Sequence, residues 1–295
     1  MTKILLIGGT GFIGLRVAKL LAGAGIGARI FDLPAALSRA ALPAGAEAVA
    51  GDVLDAEGLS RAAEGCAGIV HLAGIMTLDA ARDPERAVRL NILGTLNALE
   101  AARQTGAPLA WLSTAGVFGP EDARHPRPMT VYGTTKLAAE GLARVYAADH
   151  GVASLGLRPY IVYGPGISSG VAAGPSIALA AAVKREPSTI RFSGRVGFVY
   201  VDDVARMLMA AVLPAEGGAP MEGAHLLTMA GDTRDMAEFA AELARQSGWD
   251  GARIEGPPLR IPADLASDPV PAWLGAQPVA SIEAGVAAAL AELRQ

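Results

Sequence analysis

The chain has 295 residues, with 25 lysines and arginines against 29 aspartates and glutamates, for a formal charge of −4. That balance supplies no basic surface for nucleic acid, and an apolar content of 52% is ample for a sizeable core, which excludes a disordered chain. The single cysteine, Cys66, can form neither an internal disulfide nor a thiolate metal cluster, so a reducing, cytoplasmic setting is expected.

Residues 3–7 are a short apolar run ended by glycine, as a strand buried on both faces should be, and 12–23 carry helical spacing. Residues 2–24 superficially resemble a signal peptide. Gly8, Gly9, Gly11 and Gly14 interrupt them, however, and no apolar run reaches the roughly 20 residues needed to span a bilayer. Further strands are expected over 28–31, 48–50, 68–72, 109–113 and 153–157, and helices over 84–103, with Pro84 in the first turn, and 131–149. Strands alternating with helices at this spacing predict an α/β fold, a doubly wound parallel sheet of Rossmann type. After Gly164 the apolar pieces shorten between glycines and prolines, which predicts a smaller α/β substrate region toward the C-terminus. Residues 202–213, opening on Asp202-Asp203, read as a capped helix, Leu226-Leu227 as part of a strand, and 281–293 as a helix capped by Ser281. The expected division is a dinucleotide-binding domain over 1–163 and about 198–230, with a smaller domain over about 164–197 and 231–295.

The run Gly8-Gly9-Thr10-Gly11-Phe12-Ile13-Gly14 joins the first strand to the first helix. Glycines there permit a sharp turn and let backbone approach a pyrophosphate, while the helix start offers unpaired N–H groups and a favourable dipole. Asp32 lies 18 residues after Gly14, at the end of the second strand. A carboxylate in that place can bond an adenosine ribose and repels a 2′-phosphate, so NAD is expected rather than NADP. Asp52-Val53 is either an adenine contact or an acidic turn. Tyr132 and Lys136 stand four apart and share one helix face. An ammonium and a positively charged nicotinamide both favour tyrosinate, lowering a pKa of about 10 in water and fitting the phenol for acid–base work. Ser113-Thr114 ends the fifth strand at the carboxyl edge of the sheet, where Thr114 can hold a substrate oxygen. His71 reads as structural. His125, His150 and His225 lack ligand-like spacing with carboxylates or Cys66, so no metal is expected.

Together these residues resemble the extended short-chain dehydrogenase/reductase superfamily in its NAD-dependent epimerase/dehydratase branch. The ordered matches are the glycine run, Asp32, Gly51-Asp52-Val53, His71-Leu72-Ala73-Gly74, Asn91 to Thr95, Ser113-Thr114 before Val117-Phe118-Gly119, Tyr132 with Lys136, Arg158 to Gly166, and Val199 to Ala205. The resemblance implies that Tyr132 is the catalytic acid/base, that Lys136 holds the nicotinamide ribose and tunes the phenol, and that Thr114 orients the reacting oxygen. It implies NAD contacts from Gly8, Gly11, Phe12, Ile13, Gly14, Asp32, Asp52, Val53, Leu72, Ala73, Gly74, Ser113, Tyr132 and Lys136. Asn91 would support the active-site helix or the cofactor, and Tyr160 would lie near the nicotinamide. Relatives acting on nucleotide sugars often carry an arginine where this chain has Val196, and Leu274-Gly275-Ala276 stands where a glycine–aromatic pair is usual. The implied activity is hydride transfer at a hydroxyl-bearing carbon of a sugar-like small molecule, nucleotide sugars included, by an epimerase or an oxidoreductase. Dehydration is disfavoured, because Ala115-Gly116 follows Thr114 where dehydratases carry an acidic pair. A non-catalytic NAD-binding sensor or interaction protein is the alternative. By analogy a homodimer packs through 84–104 and 131–149.

Overall fold

The computed structural model describes residues 2–167, 169–213 and 220–295. Positions 214–219, inside the 198–230 stretch of the expected first domain, lie outside the described residues. The chain opens with β1 (Lys3–Ile7), α1 (Phe12–Gly23), β2 (Gly27–Asp32), a short α2 (Pro34–Leu37), β3 (Glu47–Ala50), α3 (Ala56–Ala63) and β4 (Gly68–His71). Next come α4 (Thr77–Arg82), α5 (Pro84–Val88), a π-helical turn over Arg89–Leu93, α6 (Gly94–Thr105) and β5 (Leu109–Leu112). A ribbon of β6 (Phe118–Gly119) and β7 (Asp122–Pro126) precedes α7 (Val131–His150), β8 (Ser154–Pro159) and β9 (Ile161–Tyr163). Then follow α8 (Gly174–Lys184), β10 (Ser188–Ile190), β11 (Arg195–Tyr200), α9 (Val201–Val212), β12 (Ala224–Met229), β13 (Asp232–Asp235), α10 (Met236–Ser247), β14 (Ala252–Ile254) and α11 (Ile282–Leu293).

Seven strands make the main sheet in the order β12-β8-β5-β4-β1-β2-β3, every neighbouring pair parallel. This is the doubly wound Rossmann-type sheet that the alternation predicts. Parallel strands covered by helices on both faces read as continuous apolar runs at the centre of a sheet, and Ile4, Leu5, Leu6 and Ile7 of β1 are all fully buried. One apolar core lies on each face of the sheet. A third core fills the C-terminal region, where Phe198 and Phe239 stack at 5.0 Å and Tyr163 meets both rings edge-on. There β11 pairs antiparallel with β13 and parallel with β9, and so runs across position 197/198, where the sequence reading sets a domain boundary.

Two local readings change. The helix expected over 84–103 is broken into α5, the π turn and α6. Asp202 and Asp203 do not cap α9, whose N-cap is Tyr200. Asp202 accepts a hydrogen bond from Arg16 at 2.6 Å, while buried Asp203 accepts from the Ala280 amide at 2.8 Å and from Arg206. Ser281 does cap α11, accepting from the Ala284 amide at 3.3 Å.

Candidate active site

The crevice of a doubly wound sheet opens at the carboxyl ends of its strands, where the strand order reverses. Here β1 sits between β2 and β4, and the glycine turn leaves its carboxyl end. Gly8 has φ +75°, and a side chain on it would bring Cβ within 2.6 Å of the Ala73 amide nitrogen, so the turn lies directly against the loop after β4. No side chain caps α1 at Gly11, which leaves its first-turn N–H groups open to an anion. The Phe12 ring lies beside Gly166 in the loop after β9.

Asp32, at the end of β2, faces that turn. Its carboxylate accepts from the Thr10 amide (3.1 Å), the Thr10 hydroxyl (2.6 Å) and the Leu33 amide (2.8 Å). A carboxylate has about four acceptor sites, so one remains for a ribose hydroxyl. Exposed Asp52 forms an Asx turn with the Leu54 amide, at 3.0 Å. Val53 is buried, its carbonyl accepting from Asn97 at 2.8 Å.

Helix α7 begins where Thr130 caps the Gly133 amide at 3.0 Å and ends at Gly151, with φ 69°. A Cβ at position 133 would stand 2.3 Å from the Gly116 carbonyl, so glycine there lets the helix start press onto the turn after Thr114. That contact brings Tyr132 to Thr114. Burial pushes the Tyr132 phenol up to about 12, and the Thr114 hydroxyl beside it pulls the other way. Thr114 Oγ1 also accepts from the Gly116 amide at 3.0 Å, which leaves its own proton free to donate.

One turn along α7, the Lys136 ammonium stands 5.9 Å from the centre of the Tyr132 ring. Lys136 is buried, and its ammonium finds no carboxylate among the described residues; burial pushes it down to about 8. The spacing predicts that the ammonium lowers the phenol, whereas in the structure burial raises the phenol and lowers the amine. Desolvation penalises both charged forms.

Asn91, in the middle of the π turn, is fully buried. Its Oδ1 accepts from the Ile75 amide (2.9 Å), and its Nδ2 donates to the Ile75 carbonyl and the Thr135 hydroxyl (both 3.0 Å). Both amide hydrogens are therefore spent inside the protein, tying the loop after β4 to α7. Single π turns recur at functional sites for this kind of reorientation. Ser113, 2% exposed, donates to Glu140 at 2.6 Å and so faces inward. Tyr160 packs in the C-terminal core with its hydroxyl 3.5 Å from the Ile261 carbonyl. His71 is buried; burial and the Lys136 charge push it down to about 3, so it is neutral and structural, 3.2 Å from the Thr95 hydroxyl. Leu72, Ala73 and Gly74 form the loop wall, and a Cβ on Gly74 would stand 3.8 Å from Lys136 Nζ.

The sequence alone gives Thr10, Thr135, Glu140 and Arg16 no role, yet each holds a predicted residue or the helix carrying it. A cavity of about 370 Å³ also opens beside α1, with Phe12, Leu15, Arg16, Lys19, Leu42 and Pro165 in its wall. Tyr132, Lys136 and Thr114 do not line it, so it is separate from the cluster of reactive groups. Among the described residues, no three His, Cys, Asp or Glu side chains converge as a metal site would require, and no helix is long and apolar enough to cross a membrane.

The profile of the NAD dependent epimerase/dehydratase family matches residues 4–222. The chain belongs to that family. The matched span runs from β1 through α9 and includes the glycine turn, Asp32, Thr114, Tyr132 and Lys136. Among similar proteins is the UDP-glucose 4-epimerase of Corynebacterium glutamicum, 31% identical over 170 residues, which are 55% of this chain and 52% of that one. The UDP-glucose 4-epimerase of Azospirillum brasilense is 33% identical over 172 residues, 55% of this chain and 49% of its own. The chain thus spans about half the length of the curated relatives it matches. Among solved structures, the Thermus thermophilus UDP-glucose 4-epimerase in complex with NAD superposes with TM-score 0.79 at 26% identity, covering 99% of both chains. The L-threonine dehydrogenase of Clostridium difficile superposes with TM-score 0.81 at 20% identity, covering 99% of this chain and 98% of its own, a likeness of fold alone.

The residues present fit the family's NAD. An uncapped helix start and a buried ammonium with no carboxylate partner among the described residues are two features that a bound dinucleotide would complete.

Proposed function

We propose that this chain is an NAD-dependent epimerase or oxidoreductase that moves hydride at a hydroxyl-bearing carbon of a sugar-like molecule, with nucleotide sugars the first class to test. The observation that carries the reading is the meeting of Tyr132, Lys136 and Thr114 beside the loop that receives the glycine turn. The UDP-sugar relatives support the substrate class. The retained Tyr–Lys pair argues against a sensor without catalysis.

In this reading the first-turn amides at Phe12 and Ile13 and the glycines Gly8, Gly11 and Gly14 receive the pyrophosphate. Asp32 takes the adenosine ribose, Asp52 and Val53 border the adenine, and Leu72, Ala73 and Gly74 flank the cofactor. Tyr160 borders the nicotinamide end, while Asn91 and Ser113 hold the site from behind. NAD, when bound, supplies the hydride acceptor and a positive charge near the phenol. Thr114 Oγ1 donates to a lone pair of the substrate oxygen and so turns that oxygen's own proton toward Tyr132. Tyr132 Oη takes the hydroxyl proton as the carbon gives up hydride, and returns it in the reverse step. Lys136 Nζ holds the ribose and lowers the cost of the tyrosinate. The glycine-turn domain over 1–163 and about 198–230 carries the cofactor; the smaller domain carries the substrate. A cytoplasmic enzyme agrees with the lone, buried Cys66. A homodimer agrees with exposed Val88, Leu93 and Val145 on the helices expected to pair, and sedimentation at a single dimer mass tests it.

The test incubates the protein with NAD and a panel of free sugars, sugar acids, UDP-glucose and UDP-glucuronate, following NADH and stereochemistry together. Accumulating NADH identifies a dehydrogenase, and a new stereoisomer without net NADH an epimerase. NAD binding with neither change across the panel would contradict the proposal and favour the sensor.

A further inference from the structure

Glu140 lies one turn beyond Lys136 and two beyond Tyr132 on the same face of α7. Its side chain is 4% exposed, and it accepts three short hydrogen bonds: from Ser113 Oγ (2.6 Å), Arg158 Nε (2.7 Å) and Arg158 Nη2 (2.6 Å). Arg158, on β8, is itself mostly buried and stands 5.1 Å from the centre of the Phe118 ring. No step of the proposed chemistry uses this cluster.

Burying a carboxylate and a guanidinium costs several kcal/mol of desolvation per ion, and an apolar pair of the same volume often stabilises a fold as well or better. The cluster's distinctive product is direction. The two-pronged guanidinium fixes the plane of the carboxylate, and the carboxylate fixes the Ser113 hydroxyl. Ser113 immediately precedes Thr114, and the Gly116 amide, donating to Thr114 Oγ1, closes the same turn. One rigid unit therefore links three elements: the end of β5 that carries Thr114, the helix that carries Tyr132 and Lys136, and β8.

We propose that Glu140, oriented by Arg158, is a positioning residue that holds Ser113 and through it sets the Thr114 hydroxyl against Tyr132. The proposal rests on the reading of Thr114, Tyr132 and Lys136 as the reacting groups. It reassigns Ser113 from a cofactor contact to the anchor of its neighbour.

The test compares wild type, Ser113→Ala, Ser113→Thr, Glu140→Gln and Tyr132→Phe. Crystal structures of the NAD complexes report the separation of Thr114 Oγ1 from Tyr132 Oη, and kinetics use whichever panel compound the wild type turns over. In Ser113→Ala the Thr114 hydroxyl is expected to move away from the phenol, with kcat falling roughly 10- to 100-fold while KM and NAD affinity stay within about twofold. Ser113→Thr, which keeps the hydroxyl, should restore both position and rate. An unmoved Thr114 in the NAD-bound Ser113→Ala crystal overturns the proposal, as does a rate loss that only follows lost thermal stability. Ser113→Ala keeps the test open if Glu140→Gln fails to fold. Tyr132→Phe separates the two claims: full turnover in that variant defeats the reading of the site, whereas inactive Tyr132→Phe beside fully active Ser113→Ala defeats the positioning role alone.

Discussion

Lys136 stands one helical turn after Tyr132, its buried ammonium 5.9 Å from the centre of the half-buried phenol ring. Burial disfavours the charged form of each group. That has consequences for stability as well as for rate.

Lys136 titrates at about 8 when folded and near 10.4 in an unfolded chain. Below pH 8 both states are protonated and the folded state bears the full cost of the buried charge. Between pH 8 and 10.4 the unfolded state holds more protons, so stability from this group rises with pH. Without NAD, Lys136→Met should be the more stable protein at pH 7 by up to about 3 kcal/mol, with the difference fading toward pH 10. Urea unfolding across that range checks it; a variant less stable than wild type at pH 7 contradicts it.

Asp32 both anchors Thr10 of the glycine turn and, in this reading, receives the ribose. Losing a hydrogen bond to a charged group costs about 1.5–3 kcal/mol. Asp32→Ala should therefore weaken NAD binding roughly 10- to 100-fold. It should also narrow the preference for NAD over NADP, since the charge that repels a 2′-phosphate is gone. Calorimetric titration with both nucleotides decides, and an unchanged NAD affinity would remove Asp32 from the cofactor site.

Arg16 is buried on α1 and donates to Asp202 (2.6 Å) and to both oxygens of Glu292 (2.6 and 2.7 Å), joining α1 to the starts of α9 and the end of α11. Removing one member of a buried pair costs 3–5 kcal/mol, but Asp202 and Glu292 retain 24% and 31% of their side-chain exposure and can be re-solvated. Arg16→Met, which keeps the apolar stem, should lose about 2 kcal/mol and a few degrees of Tm. Calorimetric melting tests this, and an unshifted Tm would show that the cluster contributes nothing net.

Most of the central sheet is legible in the sequence, because parallel strands buried on both faces leave continuous apolar runs ended by glycine or by a polar turn. The C-terminal strands β9, β10, β11 and β13 leave weaker traces: they are three to six residues long and partner strands distant in the chain. The π turn is invisible to composition, since its extra backbone residue costs no change of residue type. Tyr132 and Lys136 stand out by spacing. Glu140 does not, because a carboxylate four residues past a lysine reads as an exposed helical pair until Arg158, 18 positions away, is brought onto it by β8. Ser113 and Asn91 stand in recognisable motifs, but which way their side chains turn depends on their tertiary partners.

The central claim is that the Tyr132 hydroxyl moves the proton while hydride is transferred, and Tyr132→Phe tests it most directly, measured for both NAD affinity and turnover of the panel substrate. The account predicts NAD affinity within about twofold of wild type and kcat lower by roughly 10²- to 10⁴-fold. Wild-type turnover by the phenylalanine variant would contradict it.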